Sequence, residues 1–223
     1  MSIYYQDDHV TLYHGDCLEL TDWLQADVLV TDPPYGMSWQ SGMRHKDDRL
    51  DLVAGDETTE ARDRALDYWG HTKPWLMFGT WRVSPPDNEK QRLIWHKPDT
   101  PGMGDLRIPW GTAHEDIHLG GSGWNREETN LKRSGSVISA PAGSSGASGA
   151  ASMTGHPTPK PVALMELLIE RTPQGTIADP FAGSGATLVA ARNLGRKAIG
   201  VELEEKYAEI IAKRLSQGAF DFA

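Results

Sequence analysis

TIADPFAGSGATLVAARNLGRKAIGVELEEKYAEIIAKRL (residues 176–215) is the stretch that decides the fold class. Its pattern predicts a strand, a glycine-rich turn, a helix and a second strand, followed by the acid Glu202. That order is typical of a nucleoside-binding βαβ unit, in which small residues let the ligand approach the backbone and the acid reaches ribose hydroxyls. Leu188 stands where a dinucleotide-binding fingerprint has glycine, so an ordinary dinucleotide site is disfavoured. An α/β turn without a ligand is the alternative.

The rest of the chain alternates short apolar, β-branched runs with helical patterns, which predicts an α/β fold with a mostly parallel sheet. The predicted strands are 10–13, 28–31, 75–79, 92–96, 176–179 and 197–201, and the predicted helices are 58–69, 161–172, 185–195 and 204–218. The 223 residues suffice for a single large domain. The uncharged segment 134–155, rich in Ser, Gly and Ala, is predicted to be a flexible loop within it.

Composition and charge narrow the functional classes. A single cysteine, Cys17, excludes an intrachain disulfide and favours a reducing, cytoplasmic location. No apolar run has the length of a membrane span, and the first ten residues lack the features of a signal peptide. The net charge of −9 arises in the first 80 residues, which hold 15 acidic and 6 basic side chains. The charge distribution therefore disfavours a nucleic-acid partner but does not exclude one.

A second stretch whose residues suit ligand binding is VLVTDPPYG (28–36). In it, an apolar strand is followed by Asp32, two prolines and Tyr35. Prolines fix φ and lack an N–H group, so the Asp32 carboxylate and the Pro33 carbonyl can be held rigidly as acceptors. Two fixed acceptors beside an aromatic ring suit a planar, amino-bearing ring such as a base swung out of a duplex. A plain turn after a buried strand is the alternative.

The stretch HEDIH (114–118) matches the His-Glu-x-x-His spacing of zinc-binding helices. Pro109 and Gly111 precede it and three glycines follow within five residues, so the window is too short for such a helix. The alternation in AHEDIHL (113–119) suits a strand, on which the two histidines lie too far apart to chelate one ion easily. We therefore expect a strand and no metal site.

DPPY, DPFAGSG and the intervening GHPTPKPVALMELLI (155–169) together resemble the amino-group DNA methyltransferases that use S-adenosylmethionine. The resemblance covers residues 10 to 216, and the target-base motif precedes the cofactor motif, as in the beta group of that family. HEDIHLGG (114–121) falls where the family has a histidine–glutamate strand near the target base. The resemblance implies a Rossmann-like methyltransferase fold with helices on both faces of the sheet, S-adenosylmethionine as cofactor and double-stranded DNA as substrate.

The resemblance also implies roles for individual residues. Those assigned to the target base are Asp32, Pro33 and Tyr35, with Pro34 shaping the turn. Those assigned to the cofactor are Asp16 and Cys17 at its adenine end, Asp179, Phe181, Gly183 and Gly185 along its wall, Glu202 at its ribose, and Thr158, Lys160 and Pro161 near its methionine end. Asp16 as a turn acid, Lys160 as a surface charge and Thr158 as a helix cap remain alternatives.

The expected target is the N6 amino group of adenine, because DPPY is more usual for adenine in the resembling family, whereas cytosine-amino enzymes more often have serine in place of the aspartate. Cytosine N4, an RNA or small-molecule substrate, and a non-catalytic binding module remain open. Target recognition is expected from small insertions at 36–74 and 82–135, and phosphate contacts from basic residues in 43–49 and 192–197. The resemblance also implies a prokaryotic or phage origin and a link to restriction–modification; the sequence leaves monomer or homodimer undecided.

Overall fold

The computed structural model describes residues 3–37, 56–98, 107–129, 131–142 and 159–217. The strands within these ranges are β1 (Ile3–Gln6), β2 (Val10–His14), β3 (Val28–Thr31), β4 (Trp75–Gly79), β5 (Glu89–His96), β6 (His114–Gly120), β7 (Val137–Ser139), β8 (Ile177–Asp179) and β9 (Ala198–Glu202). The helices are α1 (Glu60–Trp69), α2 (Val162–Ile169), α3 (Ala186–Asn193) and α4 (Glu205–Gln217), with short 3-10 turns at Asp22–Gln25 and Arg126–Thr129.

The strands form one sheet in the order β1-β2-β9-β8-β3-β4-β6-β5-β7. The central strands β2, β9, β8, β3 and β4 are parallel, whereas β1 and β6 run antiparallel to their neighbours. From β8 the chain crosses to β9, and from the adjacent β3 it crosses to β4 in the opposite direction. Ligands of open α/β sheets bind in the crevice that such a reversal leaves at the carboxyl ends of the strands.

Helices cover both faces of the sheet because successive side chains of the central strands point to opposite sides. Val28 and Val30 of β3 belong to the core shared with α2, α3 and α4. Leu29, between them, belongs to the core shared with α1 and the first 3-10 turn. All three residues are fully buried. The expected α/β fold, with a mostly parallel sheet between two helical layers, is confirmed.

The predicted elements are also confirmed, with shifts of one to three residues at most ends. The stretch 114–119 is a strand, as its alternation indicates. The predicted helix 185–195 ends at Asn193 in the structure, and Gly195, with a φ of 68° that favours glycine, follows its end. Residue 218, the last of the predicted helix 204–218, lies outside the described residues.

Two strands have no counterpart in the prediction, and both lie at sheet edges. β1 pairs with β2; its two end residues are exposed and its two tyrosines are half-buried, so it lacks an alternating apolar pattern. β7 lies in the segment predicted to be a flexible loop from 134 to 155, where it pairs in parallel with β5. For residues 137–139 the structure has a strand in place of the predicted loop, because backbone pairing with β5 orders this short segment. Residues 143–155 lie outside the described part.

The intervals expected to be small, irregular recognition insertions contain regular structure. α1 lies within 36–74, and β5 and β6 lie within 82–135, where β6 bridges β4 and β5. Buried side chains of these elements build the sheet and the helical layer over it, and target recognition by the two intervals stays a prediction. In the described part of the chain, no helix is both long and apolar enough to pass through a membrane.

The arginines of 192–197 are held by the protein itself rather than presented to phosphates. Arg192 donates to the Leu215 carbonyl, and Arg196 donates to the carbonyls of Pro173 and Gly175 at 2.8 Å each. Arg196 is 9% exposed and precedes β9, so it lies at the amino-terminal edge of the sheet, away from the crevice. The residues 43–49 lie outside the described part.

Candidate active site

A cavity of about 660 Å³ opens at the carboxyl ends of the parallel strands. Its walls come from the residues that follow β2, β3, β4, β8 and β9, together with β6 and the segment before α2. Thr31 and Asp179 end the neighbouring strands β3 and β8, and the Thr31 hydroxyl donates to Asp179 Oδ1 at 2.6 Å. The DPPY turn and the glycine-rich turn, far apart in sequence, therefore meet in one site.

The buried carboxylate of Asp56 fixes the backbone of the DPPY turn. Asp56 Oδ1 accepts the backbone N–H groups of Tyr35 at 2.7 Å and Gly36 at 2.9 Å. Gly36 has a φ of 73°, and a Cβ there would lie 2.8 Å from the Thr58 carbonyl carbon, so the turn requires glycine. Pro33 and Pro34 lie in the cavity wall, as expected for the target-base turn.

Asp32 is the centre of a polar cluster inside the cavity. Its Oδ1 accepts the Tyr35 hydroxyl at 2.7 Å, and its Oδ2 lies 2.5 Å from the Lys160 ammonium. The resemblance assigns Lys160 to the methionine end of the cofactor; the structure places its ammonium against the target-base turn, 8% exposed and 4.9 Å from the centre of the Phe78 ring. Lys160 is thus not a surface charge.

A second carboxylate, Glu115 of β6, completes this cluster. Its Oε2 lies 3.2 Å from the Tyr35 hydroxyl and 3.4 Å from Lys160 Nζ, and its Oε1 pairs with Lys97. Burial raises the pKa of Asp32, an effect that the Glu115 charge reinforces and Lys160 opposes. Burial also acts on Glu115, but Lys160 and Lys97 outweigh it and hold the pKa of Glu115 below its ordinary value. The two carboxylates therefore differ in how readily they take up a proton.

The glycine-rich turn between β8 and α3 forms the other half of the cavity. Asp179 accepts the Phe181 N–H at 3.2 Å in addition to the Thr31 hydroxyl, and burial raises its pKa to about 6. Gly183, with a φ of 53°, lines the cavity and leaves the backbone bare of a side chain. Phe181 lines the same wall.

Glu202, at the end of β9, lies beside this turn. Its Oε2 accepts the Gly183 N–H at 2.7 Å and its Oε1 accepts the Glu204 N–H at 2.8 Å. Burial nevertheless raises the pKa of Glu202 to about 7, because it outweighs the stabilisation of the charge by the two backbone donors. The side chain lines the cavity with lone pairs left for further donors.

Asp16 and Cys17 follow β2 and both line the cavity. Asp16 is exposed, and its Oδ1 accepts the Leu18 N–H at 2.8 Å, as a turn acid does. Its other oxygen remains available at the cavity wall. The Cys17 thiol is buried, and burial raises its pKa to about 12, so it is not a nucleophile at neutral pH.

Three of the residues assigned to the cofactor are placed differently or lie outside the described part. Gly185, with a φ of 79°, is the residue before α3 and caps it; a Cβ there would lie 2.9 Å from Ile211, and the residue does not form part of the described cavity wall. Its requirement for glycine therefore comes from helix packing. Pro161 likewise precedes α2 as its cap, outside that wall. Thr158 lies outside the described residues.

The two histidines of HEDIH have different surroundings on β6. His114 lines the cavity, whereas His118 is 2% exposed and its Nδ1 lies 2.6 Å from Glu89 Oε1. Within the described ranges, no three His, Cys, Asp or Glu side chains are grouped so that they could hold a metal ion.

Sequence reasoning missed Asp56, Lys97 and Glu115 as parts of the site. Glu115 had a signal, because it lies on a predicted strand that the resemblance already places near the target base. Lys97 directly follows β5, but a lysine after a strand is usually solvated. Asp56 had no local signal: it reaches the turn across 21 residues of chain.

Comparison with known proteins adds independent findings. The family model described as DNA methylase, covering N6 and N4 methyltransferases, matches residues 79–213. The chain is 47% identical over 66 residues to the type II methyltransferase M2.LlaDCHI of Lactococcus lactis subsp. cremoris, an alignment that spans 29% of this chain but only 24% of that protein. It is 26% identical to the type II methyltransferase M.ScaI of Streptomyces caespitosus over 97% of this chain and 84% of that protein.

A solved structure shows the same fold. The crystal structure of the M1.HpyAVI–SAM complex superimposes with a TM-score of 0.62 at 24% identity, covering 92% of this chain and 98% of that one. The resemblance drawn from DPPY and DPFAGSG is thus confirmed, and the match to the family model extends over more than half of the 223 residues. The protein belongs to the DNA methylase family of N6 and N4 methyltransferases.

Proposed function

We propose that the protein transfers a methyl group from S-adenosylmethionine to the exocyclic amino group of a base in double-stranded DNA, with adenine N6 as the target. The observation that supports this most directly is the presence of two carboxylates in one cavity, Asp32 just after β3 and Glu202 at the end of β9. One is suited to accept hydrogen bonds from an amino group and the other from ribose hydroxyls. Family membership supports the same reaction, and the DPPY turn favours adenine.

The glycine-rich turn and the carboxylates of Glu202 and Asp16 fit S-adenosylmethionine. Glu202 keeps acceptor capacity after bonding two backbone N–H groups, and Gly183 leaves room for a ligand to approach the backbone. Asp16 offers a carboxylate oxygen at the wall formed after β2. When bound, S-adenosylmethionine supplies a methyl group activated by its positively charged sulfur, and the acidic wall suits that charge.

Asp32 would act at the target nitrogen. An exocyclic amino nitrogen is a poor nucleophile because its lone pair is delocalised into the ring. A hydrogen bond from its N–H to Asp32 favours a more tetrahedral nitrogen, whose lone pair attacks the methyl carbon as the carbon–sulfur bond breaks. The proton then leaves the nitrogen for Asp32. The rate would come from positioning and from an acceptor aimed at charge that develops during the step.

An exposed aromatic residue at the cavity mouth favours a nucleic-acid polymer over a free small molecule. Trp81, in the loop after β4, lines the cavity and is 59% exposed, and the Arg82 guanidinium lies 5.4 Å from its ring centre. An aromatic face beside a guanidinium suits base stacking and phosphate binding. A methyltransferase acting on RNA is the second candidate, because this pair suits either nucleic acid.

The test is transfer of label from methyl-labelled S-adenosylmethionine to unmethylated duplex DNA and to RNA, followed by nucleoside analysis. We expect N6-methyladenine from DNA. Asp32→Asn should reduce transfer about a thousandfold, as for loss of a proton acceptor, while calorimetry shows unchanged cofactor affinity. N4-methylcytosine would overturn the choice of base, label confined to RNA would overturn DNA as the substrate, and full activity of Asp32→Asn would overturn the role of Asp32.

A further inference from the structure

Asp32 and Glu115 share the same two hydrogen-bond donors. Lys160 Nζ lies 2.5 Å from Asp32 Oδ2 and 3.4 Å from Glu115 Oε2. The Tyr35 hydroxyl lies 2.7 Å from Asp32 Oδ1 and 3.2 Å from the same Glu115 oxygen. Both donors are therefore closer to Asp32 but within a short movement of Glu115.

These contacts oppose the part that Asp32 plays in the proposed reaction. An ammonium at 2.5 Å neutralises most of the Asp32 charge, which makes the carboxylate a weaker acceptor for an incoming amino group. Both Asp32 oxygens already accept one donor each. A base that binds Asp32 can use the remaining lone pairs, and it meets a stronger acceptor there if Lys160 and the Tyr35 hydroxyl shift to another acceptor.

We propose that Glu115 is a positioning residue that takes over Lys160 and the Tyr35 hydroxyl when Asp32 binds the target amino group and accepts its proton. The inference rests on the proposed function and adds to it a residue that acts through Asp32. Lys97, which pairs with Glu115 Oε1, fixes the side chain so that Oε2 faces the two shared donors.

The charges of the cluster explain why a second carboxylate is needed. Two carboxylates and two ammonium groups, those of Asp32, Glu115, Lys97 and Lys160, sum to zero before transfer. As the nitrogen–carbon bond forms and the carbon–sulfur bond breaks, the positive charge passes from sulfur to nitrogen, and the proton then carries it to Asp32. The cluster now holds one net positive charge. Without the Glu115 charge it would hold two, in a mostly buried site where like charges repel strongly.

The test compares three variants in single-turnover methylation of duplex DNA across pH. Glu115→Gln should slow transfer about tenfold to a hundredfold, while the dissociation constants for S-adenosylmethionine and DNA change less than about threefold. Because the Glu115 charge raises the pKa of Asp32, the acid limb of the Glu115→Gln rate profile should move to lower pH. Glu115→Asp keeps the charge and should keep the wild-type acid limb with a smaller loss of rate. Glu209→Gln, an exposed carboxylate on α4, is the matched control and should behave as the wild type.

The inference is overturned if Glu115→Gln transfers at the wild-type rate with an unchanged pH profile, or if its loss of rate is matched by an equal loss of cofactor affinity. It is also overturned if Glu115→Asp is as slow as Glu115→Gln. Thermal unfolding of each variant shows whether it folds. If Glu115→Gln does not fold, the test of the inference rests on the position of the acid limb in the rate profile of Glu115→Asp. A wild-type protein that methylates no DNA would overturn the proposed function itself, a result distinct from a fast Glu115→Gln.

Discussion

Cofactor binding should depend on pH through Glu202. Burial raises the pKa of Glu202 to about 7, so the free protein is near half-ionised there at neutral pH. Ribose hydroxyls donate hydrogen bonds, and the ionised carboxylate is the better acceptor for them. We therefore expect binding to be tight where Glu202 is ionised and to weaken as the pH falls through 7.

The magnitude follows from the titration. With a pKa of about 7, roughly nine tenths of Glu202 is ionised at pH 8 and about one tenth at pH 6. If only the ionised form binds, the dissociation constant for S-adenosylmethionine rises about tenfold between pH 8 and pH 6, which is about 1.4 kcal/mol. Calorimetric titration in buffers of equal ionic strength measures this constant directly.

Glu202→Gln provides the decisive comparison. It should bind S-adenosylmethionine about tenfold to a hundredfold more weakly at pH 8, because a charge-assisted bond is lost, and its affinity should be nearly flat from pH 8 to pH 6. Glu205→Gln, an exposed carboxylate in the first turn of α4, should keep the wild-type dependence. Equal wild-type affinity at the two pH values, or a tenfold change retained in Glu202→Gln, would refute the assignment of Glu202 to the ribose.

Three further perturbations test packing, burial and substrate contact. Gly185→Ala combines a φ of 79° with a methyl group 2.9 Å from Ile211, so urea denaturation should show a loss of about 2–3 kcal/mol, against about 1 kcal/mol for Gly195→Ala, where φ is 68° and the space is open. Burial raises the pKa of Asp179 from 3.8 to about 6, so its contribution to stability is present below about pH 4 and is lost as the pH rises through 6. Relative to Asp179→Asn, the wild type should therefore lose up to about 3 kcal/mol between pH 4 and pH 7; a constant difference would contradict the shift. Trp81→Ala should weaken DNA binding about tenfold in fluorescence anisotropy with unchanged cofactor affinity, whereas Trp110→Ala, 81% exposed but outside the described cavity wall, should lose less.

The central elements of the fold were predictable because their sequence patterns report their surroundings. Residues 28–31 and 75–79 are wholly buried parallel strands, and such strands have continuous apolar runs. β1 and β7 were not predictable, since each is a short strand at a sheet edge with exposed residues at both of its ends. Pairing with a neighbour stabilises them, and no local pattern records that pairing.

The candidate site also contains residues that the sequence predicted and residues that it did not. DPPY and DPFAGSG were identified because each combines an acid with the turn residues that the backbone requires, within a few positions of a buried strand. The partners of Asp32 were not, because Lys160 is 128 residues away and Glu115 reaches it from the antiparallel strand β6. Position in the sheet decides those contacts, and a single sequence shows the residue types without their spatial neighbours.

The hydrogen bond between Thr31 and Asp179 joins positions 148 residues apart, and this separation has a consequence for synthesis. β8 and β9, which lie between β2 and β3 in the sheet, are the last strands of the described chain to be made. At about 5–20 residues per second, a ribosome needs roughly 7 to 30 s to pass from the first motif to the second. Throughout that interval β3 has an open edge towards the missing β8, and unpaired edges recruit other strands. The nascent chain should therefore be inactive and prone to aggregation until its carboxyl-terminal third emerges, and only then can the centre of the sheet close.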